Sequence, residues 1–409
     1  MDGPPPAGAY ATVNPNRADD GSGLTLLSAA GVVFMAIVAL NRALRARGFF
    51  ANRKEPDLRE FLDLTALGLV CDVMPMTGLA RVLTAQGLKV LTGDGNPGLK
   101  ALARKAGMKG AATAFDLGFL LGPRINAAGR IGHARLAFDL LTTDDAALRE
   151  TLAEKLHVMN AERQAIERAV QQEAIELVER RRLHERAVIV AAGEGWHPGV
   201  VGIVAARLKE AANRPAVVIG FDGDIGKGSA RSVAGVDLGA AVQCLAAEGL
   251  VVSGGGHRMA AGLSLTRAQL APAMVRLSDL LARQGAGDAP PRDLALDGLL
   301  ALSALTPALC ERIEAAGPFG QGAPAPRFAC ADVTVQARRV GEAHLKATLR
   351  DATGTAVEAM AFNAAGGRLG LLMEAPAQAR FHVAGRLSLS TWGGRSKAEL
   401  MLEDAARAS

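Results

Sequence analysis

The sequence predicts an α/β protein in four parts: a helical N-terminal region, one long connecting helix, a small α/β domain and a C-terminal β-barrel. Three features lead to that class. Leu148, Leu152, Leu156, Met159, Ile166 and Val170 recur at mostly helical spacing within a charged stretch. Beyond it, short apolar runs such as AVIVAA (187–192) and AVVIGF (216–221) alternate with helical segments. The tail then breaks into short strands separated by glycine-containing turns.

The chain has 409 residues, enough for two to three domains at roughly 150 residues each. Hydrophobic residues make up 49% and aromatics only 4%, so the cores must be built from Ala, Val, Leu and Ile. The net charge of +5 arises from 46 basic and 41 acidic residues, a balance too even to require a nucleic-acid partner by itself. Any anion site must therefore be a local arrangement. Cys71, Cys244, Cys310 and Cys330 have spacings that suit neither a zinc site nor a disulfide framework, which points to free thiols in a reducing, cytoplasmic compartment.

The first residues are turn-rich, and helices are expected over 24–47, 58–69, 78–91, 98–106 and 134–141. Residues 23–40 (GLTLLSAAGVVFMAIVAL) carry no charge and match a membrane span by length alone. No second span and no cleavage pattern accompany them, so the expectation is a helix buried in a soluble core, with no membrane partner. Residues 144–182 read as one amphipathic helix joining two domains. The α/β part follows with a strand at 187–192, a helix at 200–211, a strand at 216–221, a helix at 238–248 and a strand at 260–265. QGAGDAPPRD (284–293) is a linker. After a helical piece at 308–316, strands are expected at 328–340, 345–350, 356–362, 379–389 and 398–402, for which an OB-like barrel is the commonest solution. The expected domains are 1–143, a connecting helix 144–183, then 184–286 and 294–409.

Six stretches carry chemistry. In DLTALGLVCDVMPM (63–76), Asp72 sits among apolar neighbours, where a carboxylate needs a partner, a cation or a capping role. GPRINAAGRIGHARLA (122–137) reads as a loop crowded with Arg124, Asn126 and Arg130; the arginine fork suits phosphate, and solvated arginines are the plain alternative. Trp196-His197-Pro198-Gly199 is a turn leading into a helix whose N-terminus suits an anion, or simply a packed junction. GDIGKGSARSVAGVD (223–237) combines Gly226, Lys227, Gly228, Ser229, Arg231 and Ser232 as in a phosphate cradle, without Walker or Rossmann spacing. Asp222-Gly223-Asp224 is a weak metal candidate and a good hairpin turn. VVSGGGHRMAAG (251–262) sets Gly254, Gly255 and Gly256 before His257 and Arg258, either a close-approach anion site or a structural turn.

In chain order, and with IEAAGPFGQGAPAPRF (313–328) added, these stretches apart from Asp222-Gly223-Asp224 resemble the RecJ-type exonucleases of the DHH phosphoesterase superfamily, from Val13 to the C-terminal barrel. The resemblance implies a partial DHH domain, a connecting helix, a DHH-associated domain and an OB-like domain. It implies hydrolysis of single-stranded DNA from the 5′ end with two divalent metals, manganese or magnesium. It places Asp72 at the family's last metal-binding aspartate and Arg124, Asn126 and Arg130 on the phosphate path, with Arg130 and His257 in catalytic roles. Arg231, Ser232, Gly255 and Gly256 would grip the substrate's backbone and terminal phosphate, and Trp392 would stack on a base. A single-strand-binding protein or a helicase would be the protein partner. The family's other metal motifs, a D-x-D, a further Asp and the D-H-H, precede the VNPN stretch (13–16); none of them lies in the twelve residues before Val13, no D-H-H occurs anywhere, and all seven histidines are solitary. The expectation is therefore the C-terminal part of such an enzyme. Two readings stay open: an exonuclease lacking its N-terminal metal motifs in this chain, or a catalytically inactive single-stranded-DNA-binding remnant or partner subunit. A third, a phosphoesterase of small nucleotides, is opposed by the barrel, which a small substrate does not need.

Overall fold

The computed structural model describes residues 8–287, 293–373, 379–392 and 395–408. Its helices and strands begin with α1 (Ala29–Ala46), α2 (Leu62–Cys71), α3 (Gly78–Thr92), α4 (Pro97–Ala106), α5 (Gly122–Ile131), α6 (Arg135–Thr142) and α7 (Ala146–Arg180). Then come β1 (Ile189–Glu194), α8 (Pro198–Ala212), β2 (Ala216–Asp222), β3 (Ile225–Arg231), α9 (Leu238–Ala247), β4 (Ser253–His257), β5 (Ala260–Thr266) and α10 (Arg267–Ala282). The tail holds β6 (Gly298–Leu299), α11 (Pro307–Ala315), β7 (Arg327–Val340), β8 (His344–Arg350), β9 (Ala356–Ala361), α12 (Arg368–Met373), β10 (Arg380–Trp392) and β11 (Arg395–Arg407). Two compact units result: Met1–Asn96 with Lys109–Gly118 and Asp293–Ser409, and Pro97–Met108 with Phe119–Arg292.

In the first unit, α1, α2 and α3 pack through small residues. Gly68 of α2 meets Ala30 of α1, and Gly87 of α3 meets the Leu62 carbonyl and Ala66. Asp63 is fully buried and accepts the backbone N–H of Leu64 (2.7 Å) and of Asn96 (2.6 Å). The expectation of a buried apolar helix near the N-terminus is corrected here: α1 turns Gly31 and Phe34 inward but leaves Val33, Ile37 and Leu40 in solvent. Its apolar residues lie all around the helix, whereas its neighbour α2 covers one side. In the same unit β7, β8, β9, β11 and β10 pair in that order, and β10 pairs back to β7, closing a five-stranded barrel with β6 added alongside β7. Strict alternation builds the barrel core: Leu345, Ala347 and Leu349 of β8 point inward with Val357, Ala359 and Ala361 of β9. The segment before the barrel docks beside α2, with Met76 N–H donating to the Gln321 carbonyl (2.7 Å).

The second unit is a mixed sheet with helices on both faces, in strand order β1-β2-β3-β5-β4. β2 is parallel to β1 and antiparallel to β3. Val217, Ile219 and Phe221 of β2 face α9 and α10, while Ala216 and Val218 face α7 and α8. That two-sided burial explains why AVVIGF shows no polar alternation. Asp222-Gly223-Asp224 forms the β2–β3 hairpin turn, with Gly223 at φ +58°. Asp145 caps the 35-residue α7.

The helices α10 and α12 and the short strand β6 stand where no element was expected, and three elements that carry candidate site residues differ from the sequence-based expectation. The stretch read as a loop around Arg124 is the helix α5, entered through a π-helical turn and with Pro123 in its first turn. GKGSARS lies largely on a strand, β3, in the middle of the sheet. The glycine run before His257 is the edge strand β4.

Candidate phosphate-binding site

Arg130, Ser229 and Arg231 meet in the second unit, around α8. His197 precedes this helix and caps it, its Nδ1 accepting the Gly199 N–H (3.0 Å). Trp196 is buried, its indole N–H on the Glu173 carboxylate (2.7 Å). These two residues therefore build the turn itself rather than line a site. α8 then presents two glycines to its neighbours. A side chain at Gly199 would collide with the Arg130 backbone carbonyl, and the Gly199 carbonyl accepts a hydrogen bond from Arg130 Nη1 (2.9 Å). A Cβ at Gly202 would stand 2.9 Å from both Arg231 Nη2 and Ser229 Oγ. The glycines thus seat the last turn of α5 and one face of β3 directly on α8.

Helix periodicity puts Asn126 and Arg130 on one exposed face of α5. Strand periodicity puts Ser229 and Arg231 on one face of β3. Burial lowers the Arg231 pKa, and the nearby Arg130 guanidinium lowers it further. Two guanidiniums that oppose each other's charge favour an anion between them.

Other expected residues fall differently. Arg124 is half-buried and committed within the fold: its Nη1 donates to the Leu120 carbonyl (2.7 Å) and its Nε to His157 Nδ1 (3.3 Å). Ser232 is buried, and its hydroxyl donates to the Val236 carbonyl (2.8 Å). The hydroxyl beside Arg231 belongs instead to Ser229, a residue whose strand alternation with Arg231 was the available signal. The glycines of β4 divide their roles. Gly254 makes room for Val242 of α9, Gly256 makes room for the backbone of β5, and Gly255 alone faces open space. His257 is exposed at the end of β4, and its backbone packs on Gly239 of α9.

Asp72 lies in the first unit, exposed at the C-cap of α2, with Val73 following at φ +55°. Among the described residues no group of three His, Cys, Asp or Glu is placed to hold a metal ion. One exposed carboxylate does not form a site for two divalent cations, which need several oxygen ligands each. The side chain of Trp392 lies outside the described residues. On the barrel, Arg327 and Arg386 share Glu403, and Lys346 pairs with Glu358, so those cations are partly neutralised.

Residues 185–283 match the DHHA1 domain, and residues 296–404 match the RecJ OB domain. The single-stranded-DNA-specific exonuclease RecJ of Dickeya dadantii is 37% identical over 406 residues, covering 97% of this chain and 70% of that protein. The crystal structure of Thermus thermophilus RecJ in complex with Mn2+ superposes with a TM-score of 0.77 at 33% identity, covering 93% of this chain and 53% of that one. The same organism's RecJ in complex with Mg2+ gives a TM-score of 0.75 at 32% identity, covering 97% and 57%. The chain therefore spans little more than half the length of these solved relatives.

Proposed function

Since this chain belongs to the RecJ family, we propose that it is the substrate-holding part of a cytoplasmic, single-stranded-DNA-specific exonuclease that digests from the 5′ end. The observation that carries this reading is the seating of Arg130 and Arg231 together against the two glycines of α8. Two forks seated on one helix suit consecutive or terminal phosphates. Asn126 supplies a neutral donor on the same face as Arg130, and Ser229 does so beside Arg231. Arg124 and Ser232 act one step back, by fixing α5 and the turn after β3.

His257 and Arg130 take the catalytic roles, contacting the phosphate at which the bond breaks and stabilising its growing negative charge. Gly255, with no side chain to intervene, lets the DNA backbone approach β4. The barrel binds single-stranded DNA, and Trp392 is the proposed stacking ring. Manganese or magnesium would activate water in the complete enzyme. This chain contributes Asp72 to that function, and the donor set described above does not complete it. A single-strand-binding protein or a helicase is the proposed partner.

The lone Asp72 favours a second reading, a catalytically inactive protein that holds single-stranded DNA or serves as a partner subunit. The two readings share one prediction for the 409-residue chain: it binds single-stranded DNA weakly and does not degrade it. Release of nucleotides in manganese by the purified chain, abolished by Asp72→Ala, would overturn it. Full-length context separates the readings, because an in-frame stretch encoding D-H-H ahead of Met1 supports the exonuclease.

A further inference from the structure

Along α7 the buried stripe Leu152, Leu156, Met159 continues into Asn160, Arg163 and Glu167 before returning to Val170. A solvated helix face would not bury three polar residues at helical spacing. Arg163 and Glu167 are only 9% and 8% exposed and form an ion pair with each other. Arg163 Nη2 donates to Asn160 Oδ1 (2.8 Å), and its Nε has no partner. The second Glu167 oxygen takes both Nε and Nη2 of Arg207, each at 3.2 Å. Arg207 belongs to α8, the helix that seats Arg130 at Gly199 and Arg231 at Gly202.

We propose that Glu167 is a positioning residue that ties the connecting helix to α8 and thereby holds Arg130 and Arg231 at the spacing a phosphodiester backbone requires. This inference rests on the reading of those two arginines as phosphate ligands. The charge arrangement agrees with it. Glu167 bridges Arg163 and Arg207, while Arg130 and Arg207 both lie near enough to Arg163 to oppose its charge. Arg130 does the same to Arg231. One carboxylate among these guanidiniums leaves the cluster cationic toward the site, while its two oxygens fix the angle of α8.

The sign of one substitution separates positioning from simple neutralisation. If Glu167 acted by charge alone, Glu167→Gln would remove a negative charge near a polyanion and tighten binding. Positioning predicts the opposite. The probe is 5′-phosphorylated single-stranded oligothymidylate, bound by the 409-residue chain and followed by fluorescence anisotropy. Glu167→Gln is expected to weaken binding about tenfold, and Glu167→Asp to recover part of the loss.

Arg207→Lys keeps the charge, removes the fork and sits on a half-exposed side chain, so it tests the same tie should Glu167→Gln fail to fold. It is also expected to weaken binding. Unchanged or tighter binding by Glu167→Gln, or by Arg207→Lys where the first variant is unfolded, overturns the proposal. Wild-type chain that does not bind, or Arg231→Ala that binds like wild type, instead overturns the phosphate-ligand reading beneath it.

Discussion

Replacing Gly202 by alanine puts a methyl group where Arg231 and Ser229 now touch α8. Its nearest neighbours would be Arg231 Nη2 and Ser229 Oγ at 2.9 Å, with Ser229 Cβ at 3.4 Å. The two closest atoms are side-chain ends, so the methyl is accommodated once the guanidinium swings away and the Ser229 hydroxyl rotates. Alanine is favoured over glycine inside a helix by about 1 kcal/mol. The variant is therefore expected to be as stable as the parent, or more stable by up to about that amount. Binding should move the other way. A charge-assisted hydrogen bond is worth roughly 1.5–3 kcal/mol, so losing the Arg231 fork should weaken single-stranded DNA roughly ten- to a hundredfold. Gly199→Ala provides the contrast, because its methyl meets the Arg130 backbone carbonyl, which cannot rotate away. That variant is expected to lose stability as well as binding. Thermal melts and fluorescence anisotropy on both variants read the two quantities separately. A Gly202→Ala chain that binds like wild type would refute the assignment of Arg231. A clearly destabilised one would refute the claim that its neighbours yield.

Arg130→Ala and Arg231→Ala should each weaken single-stranded DNA evenly across base sequences and lower the slope of log affinity against log salt by about 0.7 per phosphate lost. Losses that depend on base identity would point to base contacts instead. Asp63 is buried, and burial raises its carboxyl pKa despite the opposing Asn96 and Leu64 N–H donors. The folded chain thus binds this proton more tightly than the unfolded chain does. Its contribution to stability is full below the unfolded-chain value of about 3.9 and is lost as pH rises through the raised value. Asp63→Asn should remove that dependence, and unfolding free energies of the two proteins that run parallel across the acidic range would contradict it.

The elements legible in the sequence are those whose burial repeats at a local period. The connecting helix and strand β8 fall close to their expected bounds because Leu152, Leu156, Met159 and Val170, and Leu345, Ala347 and Leu349, are buried at the expected spacing, although Leu148 at the start of the helical stripe is exposed. β3 was opaque for a physical reason. Its sequence IGKGSAR is poor in large apolar residues although it lies in the middle of the sheet. Gly226 leaves its space to Phe221 and Ile219, and Gly228 leaves its space to Ile219 and Leu263, so the neighbours' side chains fill the core over it. α5 was hidden by glycines at both ends. Ala127 and Ala128 are its buried contacts, small residues that give a weak apolar signal. The commitment of the Ser232 hydroxyl to Val236 was hidden because it depends on a fold of the following turn that composition does not reveal.

By itself the sequence determined the local periods, the order of the motifs and, through that order, the family. It also exposed the shortage of metal-binding carboxylates and histidines, because counting and spacing are properties of the chain. Only the tertiary structure decided which charges meet. Arg130 comes from α5, Glu167 and Arg163 from α7, Arg207 from α8 and Arg231 from β3. Spacing along the chain does not encode their meeting, which arises when two glycines let α5 and β3 settle on one helix. The electrostatic character of an arginine depends on that packing, since desolvation and neighbouring charge set it, and both are absent until the helices and the sheet have met.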